Sequence, residues 1–208
     1  MTGQPWLRWI ERGLLASGVA LGVWCAVVLI EARFYNSLPV PDAAPLVVTQ
    51  TLLPGDADSK SKSAHGPVVA APAQGAMLGR IEIPSLHLST VVLEGSDDAT
   101  LSRGSGHIED TPFPGEPGNV GIAGHRDTVF RPLRRLHLGE ELVLTMPDRI
   151  YRYRIRKAFI VGPDDVYVLD PTDHPTLTLV TCYPFEFVGH APKRFIVQAD
   201  LVEQDARK

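Results

Sequence analysis

The sequence predicts an all-β domain, a closed or nearly closed barrel of about eight strands, set behind one apolar N-terminal helix and a proline-rich linker. Three observations predict it. From Met77 onward the chain consists of short alternating apolar runs broken by turn residues, no long amphipathic helix separates those runs, and an unbroken apolar stretch stands near the N-terminus. The whole has 208 residues, 44% of them apolar and 21% charged, which suits one globular domain with an appendage and excludes wholesale disorder or a fibrous architecture. No internal repeat is apparent.

The apolar stretch comes first. Gly13 to Ile30 are 18 residues without a charge, about 27 Å of helix against a hydrocarbon core of roughly 30 Å. Trp6 and Trp9 precede it and Phe34 and Tyr35 follow it, where interfacial aromatics belong. Arg8, Arg12 and the amino terminus outweigh Arg33 on the far side. The expected layout is a cytoplasmic segment at residues 1–12 and a single span of the cytoplasmic membrane at 13–30, with everything beyond outside the cytoplasm. A cleavable signal peptide is the competing reading. It is disfavoured by Ile30, a bulky residue at the −3 position of the cut after Ala32. Trp24 likewise disfavours lipid attachment at Cys25. Gly18 and Gly22 form a GxxxG, weak support for dimerisation in so short a helix.

Residues 31–76 read as a Pro/Ala-rich linker. Pro39, Pro41, Pro45, Pro54, Pro67 and Pro72 interrupt it, and no helical or strand period survives from Asn36 to Gly75. Proline density extends and stiffens a chain, so the stretch is expected to be a spacer holding the next domain off the membrane. A tail without any role in reach is the alternative.

The domain proper is expected at 77–208. Leu78–Ile83 and Leu86–Leu93 are its first strands, the former stopped by Pro84-Ser85 and the latter by Glu94-Gly95. Ser96-Asp97-Asp98 caps a single helical turn through Leu101, closed by Gly104. Asn119–Ala123 is a short apolar strand, Phe130–Leu136 a short helical segment, and Glu141–Thr145 another strand. Tyr151, Tyr153 and Ile155 alternate with Arg152, Arg154 and Arg156, so that strand carries a basic outer face, read as solvated. Val166–Leu169, Thr176–Cys182 and Phe195–Leu201 complete the set.

Charge and cysteine count narrow the function. Residues 1–76 carry five basic and five acidic side chains, and 77–208 carry 15 and 19. A mildly acidic domain lacks the basic footprint of nucleic-acid binding, so no nucleic-acid partner is expected. The two cysteines, Cys25 and Cys182, exclude a disulfide scaffold and a four-cysteine zinc site.

Three residues of the domain have chemistry that fits together: His125, Cys182 and Arg194. Cysteine is a good nucleophile only as the thiolate, which a neighbouring cation or base favours. Histidine can serve as that base and then protonate a leaving amine. Arginine stays charged and can direct two hydrogen bonds at an oxyanion. Period-two alternation puts Cys182 on the strand face of Thr178 and Val180, where Tyr183-Pro184 ends the strand. The plain alternative is a buried cysteine that only packs.

The local motifs carry further. Thr178-Leu179-Val180-Thr181-Cys182 resembles the TLxTC signature of the sortases, membrane-anchored cysteine transpeptidases of bacteria. Gly118 to Asp127 resembles the segment bearing their histidine, and Lys193-Arg194-Phe195-Ile196-Val197 their arginine-bearing strand. The resemblance covers about Met77 to Leu201, and His-Arg-Asp-Thr with Cys-Tyr-Pro-Phe is most similar to class D. It implies an eight-stranded sortase-type barrel with short helices. It also implies an acyl transfer in which Cys182 attacks the carbonyl after Thr in an LPxT-type sorting signal. In that scheme Arg194 steadies the oxyanion, His125 protonates the departing amine, and an amine acceptor then resolves the thioester. The implied partners are surface proteins bearing LPxT-like signals and an amine on a cell-wall precursor or protein.

Other polar residues receive plainer readings. Asp127 pairs with Arg126 or Arg131, or else orients His125. His107 and His190 are surface or supporting residues. Asp97-Asp98 and Asp164-Asp165 are solvated turn carboxylates without EF-hand spacing, so no metal or other cofactor is expected. Rival functions are an anchored cysteine endopeptidase that uses water as acceptor, and a non-catalytic binding module. The L,D-transpeptidases use the same three residue types, but Thr181-Cys182-Tyr183 does not resemble their S-x-G-C-x-R context.

Overall fold

The structure, a computed structural model, describes residues 5–41, 72–187 and 189–207. Helix α1 spans Pro5–Ser37. Eight strands follow: β1 (Met77–Ile83), β2 (Leu88–Glu94), β3 (Ser105–His107), β4 (Asn119–Ala123), β5 (Glu141–Thr145), β6 (Arg149–Val161), β7 (Thr176–Tyr183) and β8 (Lys193–Ala206). They close into a barrel in the order β1-β2-β3-β4-β7-β8-β6-β5, with β5 returning to β1. Two pairs are parallel, β2 with β3 and β4 with β7. A short helix, α2 (Asp98–Leu101), makes the first of those crossovers, and the β5–β6 hairpin lies within the second. Closure leaves no free edge along the sheet.

Alternation decides which residues fill the barrel. Leu177 and Leu179 of β7, Val197 and Ala199 of β8, and Val120 and Ile122 of β4 are buried in the main core. Their neighbours in sequence point outward. Part of that outer wall is itself covered, because Val161, Val168 and Ile196 form a second cluster with Leu169 and Val180 under the β6–β7 connection. A buried polar network pins this cover. The Thr178 hydroxyl donates to Asn119 Oδ1 at 2.6 Å, Asn119 Nδ2 donates to the Val168 carbonyl at 2.9 Å, and Gln198 Nε2 to the same carbonyl at 3.0 Å. Each partner satisfies a group that burial would otherwise leave unpaired.

The predicted strand count holds, but its membership changes. Val166–Leu169 is a 3₁₀ turn, not a strand: it is the lid over the second cluster, buried through Val168 and outside the hydrogen-bonded wall. The missing strand is β3, which has only three residues and one glycine, too short to display a period. The arginine row on β6 does face outward. It is also paired, Arg152 with Glu141 at 3.0 Å and Arg156 with Asp200 at 3.2 Å, across the flanking strands.

Helix α1 contains the one candidate span among the described residues, Arg8–Glu31, long and apolar enough to cross a membrane. The helix continues seven residues past Ile30, into the stretch read as linker. Its end rests on the barrel. Arg80 Nη2 donates to the Asn36 and Leu38 carbonyls at 2.8 and 2.7 Å, and the Val91 amide donates to Asn36 Oδ1 at 3.1 Å. Arg207 donates to the Val40 and Pro41 carbonyls at 3.1 and 3.2 Å, and Val40 is buried. The last carbonyls of a helix lack intrahelical partners, and Arg80 supplies one at Asn36, while Leu38, Val40 and Pro41, bound in the same way, lie just past the helix end. Most of the proline-rich spacer, residues 42–71, lies outside the described residues.

Candidate active site

The three strands β4, β7 and β8 are neighbours in the barrel wall, and the three residues singled out from sequence sit at one end of them. Cys182 is the penultimate residue of β7 and Arg194 the second of β8, and they are direct cross-strand partners. Thr178–Gln198 and Val180–Ile196 precede them on the same outer face, so Cys182 and Arg194 also point outward. His125 follows β4, whose last residue, Ala123, pairs with Val180. Two residues further along, the same register brings His125 level with Cys182.

Local bonds hold that register beyond the strand. The Gly124 amide donates to the Val180 carbonyl at 3.1 Å, and the buried Thr181 hydroxyl donates to the Gly124 carbonyl at 2.7 Å. The residue before the histidine is thus bound to the residue before the cysteine. Gly124 has to be glycine for packing: a Cβ there would stand 2.6 Å from the ring of Phe130, a fully buried core residue. Phe130 in turn donates its amide to the His125 carbonyl at 3.0 Å, closing the turn that carries the imidazole.

His125, Cys182 and Arg194 together line two adjoining clefts. One, of about 350 Å³, has polar walls made by Arg126, Asp127, Gly189 and His190. The other, of about 340 Å³, has an apolar wall that includes Leu101, Ile108, Ala123 and Val180. Cys182 is half-buried between them. It is a lining residue of both. Arg194 Nη1 donates to the Ala191 and Lys193 carbonyls at 3.3 and 3.1 Å, which anchors the guanidinium beside the sulfur's strand. A group so anchored is preorganised to receive developing negative charge.

The walls of the apolar cleft are fixed by carboxylates. Asp97 caps α2, accepting from the Thr100 hydroxyl at 2.6 Å and from the Ala99 and Thr100 amides. The Thr100 hydroxyl and amide are the main cause that holds the Asp97 carboxyl down at about 2. Glu109 accepts from the Ser96 hydroxyl at 2.6 Å, and that bond lowers its carboxyl too. Away from the clefts, after β6, Asp165 accepts from the Gly162 amide. These carboxylates have structural partners of their own.

Two further residues differ from their sequence readings, and His190 keeps its reading as a surface residue. Asp127 lines the polar cleft but makes no ion pair with Arg126 or Arg131 among the described residues. Arg126 instead reaches the β7–β8 connection. His107 is not superficial and lines neither cleft: it is buried, bonded to Glu94 at 3.0 Å, and stacked on Phe113. His190 is exposed and lines the polar cleft. Sequence reasoning missed Arg126, Thr181 and the Asn119–Thr178–Gln198 network. The repeated Thr at alternate positions of β7 was the available signal for the last, since threonine on an outward face that is nonetheless covered must find partners.

The sortase domain family matches residues 81–202. Sortase D of Bacillus subtilis (strain 168) is 39% identical over 132 residues, which span 63% of this chain and 67% of that protein. Among solved structures, a sortase D5 transpeptidase of Clostridium perfringens superposes with a TM-score of 0.58 at 36% identity, covering 63% of this chain and 82% of that one. Sortase E1 of Streptomyces coelicolor, solved with a tripeptide in its active site, gives a TM-score of 0.58 at 30% identity, covering 65% of this chain and 94% of its own. The barrel order, the motifs on β4, β7 and β8 and the family match converge: the chain belongs to the sortase family of transpeptidases and is most like its class D members.

Proposed function

We propose that this sortase cleaves an LPxT-type sorting signal after its threonine and transfers the acyl group, through a thioester on Cys182, to an amine acceptor. The observation that carries the proposal is the cleft arrangement: one sulfur, one imidazole and one guanidinium line two adjoining clefts, one apolar-walled and one polar. A leucine–proline segment suits the apolar side. A polar acceptor suits the polar side, which Arg126, Asp127 and His190 line. The tripeptide in the active site of the Streptomyces coelicolor relative supports a peptide as ligand.

The roles follow from chemistry. The Cys182 thiolate attacks the threonine carbonyl carbon, and Arg194 hydrogen-bonds the oxyanion that forms. The carbon–nitrogen bond breaks as His125 protonates the departing amine, leaving the thioester. The acceptor amine then attacks the thioester carbon and gives its proton to His125. The carbon–sulfur bond breaks and the thiolate is restored. Covalent catalysis replaces one difficult amide exchange by two easier steps.

The Arg8–Glu31 helix is read as a single-pass anchor in the cytoplasmic membrane, N-terminus inside and barrel outside. Surface proteins with sorting signals, and an amine on a cell-wall precursor or another protein, are the partners. The test is incubation of the full chain in detergent with an LPxTx peptide library, with and without triglycine, read by mass. Cleavage after threonine with a triglycine-ligated product is the expected result. Cleavage products alone, unchanged by triglycine, would make the enzyme an endopeptidase, and no cleavage would reject the proposal.

A further inference from the structure

Arg126 is the charged side chain next to His125 that the chemistry above does not use. It lines the polar cleft. Its Nη2 donates to the carbonyls of Phe187 at 2.6 Å and Gly189 at 3.0 Å, both in the β7–β8 connection and more than sixty residues away along the chain. Its guanidinium carbon stands 5.9 Å from the centre of the Phe187 ring. Nη1 is fully buried and has no hydrogen-bond partner among the described residues. This is a side chain committed to one loop.

The loop starts anchored, because Phe185 packs against the main core and meets the Phe195 ring edge-on at 5.3 Å, but beyond it the holds are few. Glu186 meets Arg134 at 3.4 Å, but both side chains are exposed, and such a pair contributes little. Arg194 grips the other end of the connection, at Ala191 and Lys193. Past Glu186 the described part of the connection is therefore held by two arginines, one from the histidine segment and one from β8. Its residues Gly189, His190 and Ala191 line the polar cleft beside Cys182 and not the apolar one.

We propose that Arg126 is a positioning residue for the acceptor: it holds the β7–β8 connection against the His125 segment and so shapes the polar cleft through which an amine on a polar, peptide-like acceptor reaches the thioester. The inference rests on the acyl-transfer reading of the site. Arg126 supplies no proton and no electron pair. In aminolysis the acceptor nitrogen bonds to the thioester carbon, the carbon–sulfur bond breaks, and the amine proton passes to His125. In hydrolysis a water oxygen does the same and yields the acid. Water is small and needs no wall to orient it, whereas the amine gains from a preformed site. Arg126 thus sets the partition between the two products.

The experiment compares the full chain in detergent with Arg126→Ala and Arg126→Lys, using an LPxT-type peptide as donor and triglycine as acceptor. Three quantities are read: the thioester burst, the ratio of ligated to hydrolysed product, and the KM for triglycine. The expected result for Arg126→Ala is a ratio lowered by about tenfold, through a raised triglycine KM, with the burst lowered much less. Arg126→Lys falls between, because an ammonium cannot keep both carbonyls and the ring contact. Amide exchange at Gly189–Ala191 should quicken in Arg126→Ala while the β-strand amides stay protected, which separates a loosened loop from an unfolded barrel. An unchanged ratio, or burst and ligation falling in equal proportion, would overturn the inference. A wild-type chain that forms no thioester would overturn the acyl-transfer reading beneath it.

Discussion

Replacing Thr181 by valine removes one hydroxyl and little volume, so its effect isolates one bond. That hydroxyl is buried and donates to the Gly124 carbonyl at 2.7 Å. Without it a carbonyl in a buried glycine loses its partner, at a cost of about 1–3 kcal/mol. In a domain of this size each kcal/mol lowers the melting temperature by roughly 3–5 °C, giving an expected drop of roughly 3–15 °C. The catalytic consequence should be larger. The Gly124 amide bond to Val180 remains, at 3.1 Å, but the segment carrying His125 is then fastened to β7 on one side only. Misplacement of a reacting group by about 1 Å costs on the order of a hundredfold in rate. The assay is thermal melting beside single-turnover cleavage of an LPxT-type peptide. Thr181→Ser, which keeps the hydroxyl, should restore most of both. A valine variant with unaltered melting and unaltered rate would refute the claim that this bond sets the histidine's place.

Four further outcomes follow from the same geometry. Arg194→Lys should lower the acylation rate by about 10²–10³, because an ammonium cannot both hold the Ala191 and Lys193 carbonyls and present a planar pair of donors to an oxyanion; near-normal single-turnover rates would remove Arg194 from that role. Asp97, held down at about 2, favours the folded state wherever it is ionised, so its contribution is complete above the ordinary carboxylate range and is lost as pH falls toward 2. Asp97→Asn should flatten the melting-temperature profile between about pH 4 and 2, and a profile identical to wild type would contradict the cap. Tyr151 and Tyr153 have phenols raised by burial, so stability should fall as pH climbs past the ordinary tyrosine range, and a melting temperature constant up to pH 11 would count against it. Arg80→Ala removes two bonds to the end of α1. It should speed exchange of the Val91 amide by about tenfold or more, with cleavage activity retained, and unchanged exchange would show that the docked end does not depend on Arg80.

Much of this fold is legible wherever alternation is strict. Thr176–Cys182 and Tyr151–Ile155 read as strands because apolar and polar residues take turns, and the barrel places them so that each parity faces one side. Val166–Leu169 misleads because four apolar residues without a period fit a strand as well as a turn packed over an outer cluster. Ser105–His107 is invisible for the opposite reason: its pairing comes from neighbours on both sides and not from its own composition. At the site, Cys182, His125 and Arg194 are found by chemical type and motif, and the register of three adjacent strands brings them together. Arg126 escapes sequence reading because its partners are backbone carbonyls more than sixty residues away, and carbonyls carry no residue signature. The docking of Asn36–Pro41 on Arg80 and Arg207 is hidden in the same way, since proline-rich composition speaks against local period and says nothing of tertiary partners.

The proposed acyl transfer requires a covalent bond to one sulfur. The most direct measurement is the intact mass of the full chain after brief incubation with an LPxT-type peptide and an acid quench, followed by fragmentation to locate the adduct. The predicted result is an added mass equal to the peptide up to its threonine carbonyl, carried on Cys182 and discharged when triglycine is supplied. The same treatment should leave a folded Cys182→Ala protein unmodified. A peptide cleaved at full rate by Cys182→Ala, or an acyl group carried on another residue, would contradict it.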